Sequence, residues 1–296
     1  MRQRILFFLF VLISVNSFGQ SQENLIWSKD GQSYYMLQEG NIVKKTPTKV
    51  EAVVWVNGKS LVPAGSEQPI QIQKFTLSEN HELIMIQTNS KKVWRYETIG
   101  DFYVFNIKKN KLQQIGKGLA PSSLQFAKIS PNNEWVAFVN EHNIYAENLL
   151  TGKREQLTTD GTKYLINGTF DWAYEEEFFC RDGFRWSPDS KHIAFWQVNA
   201  NGVKNYLMIN NTDSAYPFAV PVEYPIAGEK PSKVKIGIVD VMSKKTNWME
   251  SPDDAVLGSY IPRMEWVPNS KQIIYQHLNR KQNLSLIHIS EPTRRS

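Results

Sequence analysis

Trp186-Ser-Pro-Asp-Ser-Lys-His-Ile-Ala-Phe-Trp196 is the stretch that decides the fold. A strand end at Trp186 runs into a Ser-Pro-Asp-Ser turn, and an apolar run from Ile193 to Trp196 follows. Ser, Pro and Asp each favour a tight reversal, and the β-branched and aromatic residues after it favour a strand. The pattern recurs as Trp27-Ser-Lys-Asp-Gly-Gln-Ser-Tyr-Tyr-Met-Leu37, Leu77-Ser-Glu-Asn-His-Glu-Leu-Ile-Met-Ile-Gln87, Ile129-Ser-Pro-Asn-Asn-Glu-Trp-Val-Ala-Phe-Val139 and Trp266-Val-Pro-Asn-Ser-Lys-Gln-Ile-Ile-Tyr-Gln276. Its second positions are residues 28, 78, 130, 187 and 267, spaced by 50, 52, 57 and 80. An all-β unit repeating at roughly fifty residues points to propeller blades.

Between these hairpins lie further strand pairs with polar turns, at 102–112, 143–153 and 236–244. They are the expected outer strands of the blades. The long last spacing holds an insertion, about residues 201–232, rich in Asn, Pro and Tyr, which is expected to leave its blade and cross a face of the disc. The fold class is therefore all-β, the N-terminal part of a β-propeller. Five blade starts do not obviously close a ring, and an open ring would leave an unpaired edge. The chain is thus expected to be the front of a longer protein.

Composition excludes several functions. Without residues 1–20 and 284–296 the charge is 30 Lys+Arg against 28 Asp+Glu, a net of +2. Nothing basic is left to recruit nucleic acid, and no Lys/Arg cluster is interleaved with aromatics. The single cysteine, Cys180, excludes an intramolecular disulfide and a cysteine-based zinc site. The five histidines lack ligand spacing, so no metal and no cofactor is implied. The absence of Gly-x-Ser-x-Gly removes any candidate nucleophile elbow.

Residues 1–20 read as a signal peptide. Arg2 and Arg4 precede an apolar run from Ile5 to Val15, and Ser17-Phe18-Gly19 offers a cleavage site before Gln20. The run is short for a membrane span, although an uncleaved anchor is the alternative. The mature protein is expected to be periplasmic or secreted. At the other end, Leu284-Ser-Leu-Ile-His-Ile-Ser-Glu-Pro-Thr-Arg294 looks like a sequencing adaptor translated in frame. Residues 284–296 are therefore expected to be non-native, with the natural sequence running on beyond Asn283.

The chemistry concentrates in Asp171-Trp-Ala-Tyr-Glu-Glu-Glu-Phe-Phe179, three carboxylates between two pairs of aromatics. Asp171 can cap a short helix with Glu175 and Glu176 in its first turn. Tyr174 and Phe178, four apart, would share one face. Adjacent side chains on a helix diverge, so the three glutamates cannot all meet one ligand, and Glu175 is expected to face elsewhere, as in a structural salt bridge. The bland alternative is a capped helix with a solvated acidic face.

Three segments, in order, resemble the N-terminal β-propeller of the dipeptidyl peptidase IV group within the prolyl oligopeptidase family of serine peptidases. They are Val93-Trp-Arg-Tyr-Glu97, the stretch Asp171–Phe179, and Tyr216-Pro-Phe-Ala-Val-Pro-Val-Glu-Tyr-Pro-Ile-Ala-Gly-Glu-Lys230. The resemblance covers residues 21–283. It implies about five blades of an expected eight, with a C-terminal α/β-hydrolase domain, and its catalytic triad, missing. It also implies substrate-binding roles: Glu176 and Glu177 for the free α-amine of a peptide, and Arg95 for a substrate carbonyl. The full-length protein would be a serine-type dipeptidyl peptidase releasing N-terminal dipeptides, with Pro or Ala preferred at the second position. The propeller would gate and recognise the substrate and would itself be inactive. The resemblance also admits a homodimer of the full-length protein. The alternative function is a non-catalytic propeller that binds peptides or a protein partner.

Overall fold

The computed structural model describes residues 25–249, 258–268 and 271–290. The expected signal peptide at 1–20 and the last part of the 284–296 segment lie outside the described residues. Blade 1 is β1 (Ile26–Trp27), β2 (Tyr34–Gln38), β3 (Asn41–Lys45) and β4 (Ala52–Val56), in that order across the sheet. Blade 2 is β5 (Lys74–Leu77), β6 (Leu83–Lys92), β7 (Glu97–Asn106) and β8 (Lys111–Ile115). Blade 3 follows as β9 (Leu124–Ile129), β10 (Trp135–Asn140), β11 (Asn143–Asn148) and β12 (Arg154–Gln156), and all neighbouring strands are antiparallel. The 102–112 and 143–153 pairs are the outer strands of blades 2 and 3, as expected.

Blade 4 departs from this scheme at its inner edge. β13 (Leu165–Asn167) and β14 (Phe184–Trp186) both pair with β15 (His192–Asn199), at successive places along it. Residues 169–182 therefore leave the sheet between two halves of one inner strand. The neck of this excursion is closed by backbone hydrogen bonds from Gly168 N–H to Trp196 O, 2.9 Å, and from Gly183 N–H to Gly168 O, 3.0 Å. A Cβ on Gly183 would lie 2.7 Å from the Gly168 carbonyl carbon, and Gly168 sits at φ +76°, so both positions need glycine. β18 (Lys233–Asp240) and β19 (Thr246–Trp248) complete blade 4. The insertion forms a separate hairpin of β16 (Asn205–Asn210) and β17 (Phe218–Glu223), which shares no sheet with a blade. Blade 5 is described as β20 (Ser259–Trp266), β21 (Ile273–Asn279) and β22 (Ser285–Ser290).

The repeated turn has one construction in the first four blades. Ser28, Ser78, Ser130 and Ser187 are buried. Each hydroxyl donates to the Asp or Asn two residues on, at 2.6–2.9 Å, and accepts the N–H five residues on, at 2.9–3.1 Å. The residue three on adopts a left-handed conformation, which falls on Gly31, His81, Asn133 and Ser190. Turns of neighbouring blades also touch: Asn133 donates to Asn80 at 2.7 Å, and Asn132 N–H to Ser190 Oγ at 3.0 Å. Removing such a hydroxyl strands a buried N–H. Ser187→Ala or Ser130→Ala is expected to cost about 1–3 kcal/mol in denaturant unfolding, while Ser66→Ala, on an exposed loop, leaves the midpoint in place.

Among the described residues the core consists of four layers between successive blades, which explains the continuous apolar runs of the second strands. In β10, Val136 and Phe138 face blade 2, whereas Ala137 and Val139 face blade 4. In β15, Ile193 and Phe195 face blade 3, and Ala194 and Trp196 face blade 5. With both faces covered, alternation of apolar and polar residues disappears. The repeat tryptophans seal these layers: Trp186 Nε1 donates to Lys128 O of blade 3, and Trp266 Nε1 to Arg185 O of blade 4, both at 3.1 Å. Trp27, the matching residue of the first repeat, is instead 52 % exposed, because no preceding blade among the described residues offers it a wall.

Candidate functional site

The excursion from blade 4 carries the only α-helix among the described residues, α1 (Trp172–Phe178). Asp171 caps it, its Oδ1 accepting the Tyr174 N–H at 3.0 Å. Phe179 ends it in a left-handed conformation, and the Cys180 N–H returns to Tyr174 O at 3.1 Å. A seven-residue helix is not stable alone. Here its inner face is locked into the layer between blades 4 and 5. Tyr174, 1 % exposed, packs on Phe170, Phe178 and Tyr260 at ring-centroid distances of 5.5, 5.2 and 6.1 Å. Its hydroxyl accepts the Ile261 N–H at 3.2 Å.

With Tyr174 pointing inward, the three glutamates separate. Glu175 turns into the protein, where Oε1 is buried without a hydrogen-bond partner. Burial pushes its carboxyl above the usual range, against the Arg95 N–H and the Arg181 guanidinium, which favour the charged form. The expected salt bridge is thus replaced by a buried carboxyl facing the backbone of the Arg95 loop. Glu176 and Glu177 stay on the open side, half-buried and exposed.

Arg95 reaches Glu176 from two blades away. β6 and β7 have ten residues each, against six in β10 and β11. Four extra residues extend a strand by roughly 13 Å. The hairpin therefore overshoots its blade, and β7 also pairs with β9 of blade 3 through Ile99–Gln125 and Gly100–Leu124. Three successive tip residues then engage α1 and the segment after it. Trp94 stacks on Trp172 at 6.2 Å, Arg95 meets Glu176 Oε2 at 3.1 Å, and the Arg181 guanidinium lies 3.8 Å over the Tyr96 ring.

Glu177 has a different partner. The Tyr224 hydroxyl donates to Glu177 Oε1 at 3.1 Å, and this contact raises the tyrosine's own pKa. Tyr224 follows β17, so the insertion comes back to close on α1 instead of only crossing a face. Its ring lies 4.8 Å from that of Trp172. Neither Tyr224 nor the Trp94–Trp172–Tyr224 stack was assigned a role from sequence. The one available signal was the Tyr-Pro-Ile-Ala-Gly segment in which Tyr224 stands.

Cys180 is a packing residue. It is buried, its Sγ donates to Pro262 O at 3.3 Å, and burial pushes its pKa to about 11. So little thiolate at neutral pH makes it a poor nucleophile.

The site therefore gathers Arg95, Glu176 and Glu177 in one place, with one guanidinium against two carboxylates. Residues 78–295, which contain all three, match the family described as Dipeptidyl peptidase IV (DPP IV) N-terminal region. Dipeptidyl peptidase 4 of Bos taurus is 27 % identical over 93 % of this chain and 36 % of its own length. Inactive dipeptidyl peptidase 10 of Rattus norvegicus is 24 % identical over 93 % of this chain and 34 % of its own. The crystal structure of Porphyromonas gingivalis dipeptidyl peptidase 4 superposes with a TM-score of 0.81 at 27 % identity, covering 92 % of this chain and 38 % of that one. The chain thus spans about a third of the length of these relatives. Bladed sheets, excursion helix and overshooting hairpin accordingly fall together in a single assignment: this chain belongs to the dipeptidyl peptidase IV N-terminal region family.

Proposed function

We propose that this propeller holds the free α-amine of a peptide for an exported serine dipeptidyl peptidase, whose hydrolase domain then releases the N-terminal dipeptide. The charge balance of the site carries the reading. Arg95 offsets Glu176, and among the described residues no cation is paired with Glu177, which leaves one carboxylate charge free on the open side of α1. An α-ammonium is one positive charge with three donors, and two carboxylates can each accept a charge-assisted hydrogen bond from it. A solvent-facing Arg–Glu pair adds little to stability, so a hairpin of two ten-residue strands that delivers one has a better explanation in binding.

An amine held at a fixed point places the scissile bond at a fixed distance, so the site measures two residues. A preference for Pro or Ala at the second position, and export by residues 1–20, belong to the same proposal. The full-length protein is expected to hydrolyse a Gly-Pro chromogenic substrate and to reject its N-acetylated counterpart, by a factor of about a hundred or more in kcat/KM. Equal turnover of the two would refute amine anchoring. A non-catalytic peptide-binding propeller is the second reading, favoured by the similarity to a relative named inactive. That reading predicts binding of free-amine peptides without release of dipeptides.

A further inference from the structure

The two carboxylates are held by unlike groups. Glu176 meets a cation, and Glu177 meets a neutral hydroxyl. We propose that Tyr224 is a positioning residue, which aims Glu177 at the substrate's ammonium without neutralising it; this rests on the amine-anchoring reading above.

Tyr224 is itself well held. The following Pro225 restricts its backbone to extended conformations. Its N–H returns to Lys204 O at 3.3 Å, closing the base of the insertion, and its ring is flanked by Trp172. The hydroxyl is thus a fixed donor. Glu177, at the exposed end of a short helix, has no other described hydrogen bond to set its rotamer.

Without that donor, Glu177 would be free to take another position. A cavity of about 180 Å³ opens beside it, lined by Tyr224, Phe178, Tyr260 and Arg280 among others. Arg280 is held there by the Tyr260 hydroxyl and by Glu229 O. A released Glu177 can swing into this cavity toward the guanidinium, where its charge would be spent on Arg280. A cation in place of Tyr224 would fail differently. With Arg95 already offsetting Glu176, a cation paired with Glu177 would spend the remaining carboxylate and weaken the site's attraction for an ammonium.

The test uses the full-length protein with three variants: Tyr224→Phe, Tyr224→Lys and Glu177→Gln. Tyr224→Phe keeps the ring against Trp172 and deletes only the donor. It is expected to raise KM for a free-amine dipeptide substrate about tenfold, with kcat within about twofold of the parent. Tyr224→Lys is expected to lose more than Tyr224→Phe. Labelling of the active serine by an amine-independent phosphonofluoridate should proceed at the parent rate in all three. If Glu177→Gln abolishes turnover while Tyr224→Phe keeps the parent KM, positioning is overturned and amine anchoring stands. If Glu177→Gln also behaves as the parent, the anchoring reading itself falls. Slowed serine labelling in Tyr224→Phe would reduce the residue to a structural part and overturn the proposal.

Discussion

Alanine at Glu176 or Glu177 in the full-length protein is expected to abolish dipeptide release while leaving the serine open to a covalent probe. Each substitution deletes one charge-assisted acceptor for the ammonium, worth up to about 3 kcal/mol, or roughly a hundredfold in kcat/KM. The two losses have different by-products. Glu176→Ala also frees Arg95, leaving an unopposed guanidinium beside the place where a positive group must bind. Glu177→Ala frees only a neutral hydroxyl. Glu176→Ala should therefore be the more damaging of the two. Steady-state kinetics on a Gly-Pro substrate, paired with phosphonofluoridate labelling, separates anchoring from misfolding. Parent turnover by both variants would remove these residues from the site.

The second large effect concerns the ground on which the site stands. Tyr174→Ala is expected to destabilise the protein by about 3–5 kcal/mol, because it empties a fully enclosed position against Phe170, Phe178 and Tyr260. Tyr174→Phe keeps the ring and removes the acceptor of the Ile261 N–H, at a cost of about 1–3 kcal/mol. The difference between the two separates packing from hydrogen bonding. Urea unfolding of both variants measures it, and a Tyr174→Ala midpoint equal to the parent's would show that α1 is not seated as described. Because α1 is too short to persist without this seat, Tyr174→Ala should also weaken substrate binding, although Tyr174 sits on the helix's buried inner face.

These two cases show what could be read from sequence and what could not. The hairpins were legible because a Ser–Asp or Ser–Asn turn satisfies its own hydrogen bonds within six residues, as Ser187, Asp189 and His192 do. The helix was legible for the same reason: Asp171 caps it and Tyr174 meets Phe178 four residues on. The approach of Arg95 to Glu176 came from family resemblance, since eighty-one positions and a whole blade separate them. Tyr224 escaped because its contact with Glu177 depends on the path of the insertion, which no local pattern specifies. Trp27 shows the same limit, because its repeat is like the others while its neighbourhood is not. A residue whose partner lies in the next blade cannot be placed from its own blade alone.

The overshooting β6–β7 hairpin has a consequence for how the protein comes to function. Its tip belongs to blade 2 and its target to blade 4, so cation and carboxylate meet only when the blade between them is in register. Contacts of such sequence separation form late in folding, after the local hairpins. A partly folded chain would thus have sheets but no competent amine trap. Loosening of the middle blade would likewise disconnect Arg95 from Glu176 before the other blades came apart. Under the function proposed above, the hairpin is a latch that arms amine binding only once blades 2 to 4 are packed together.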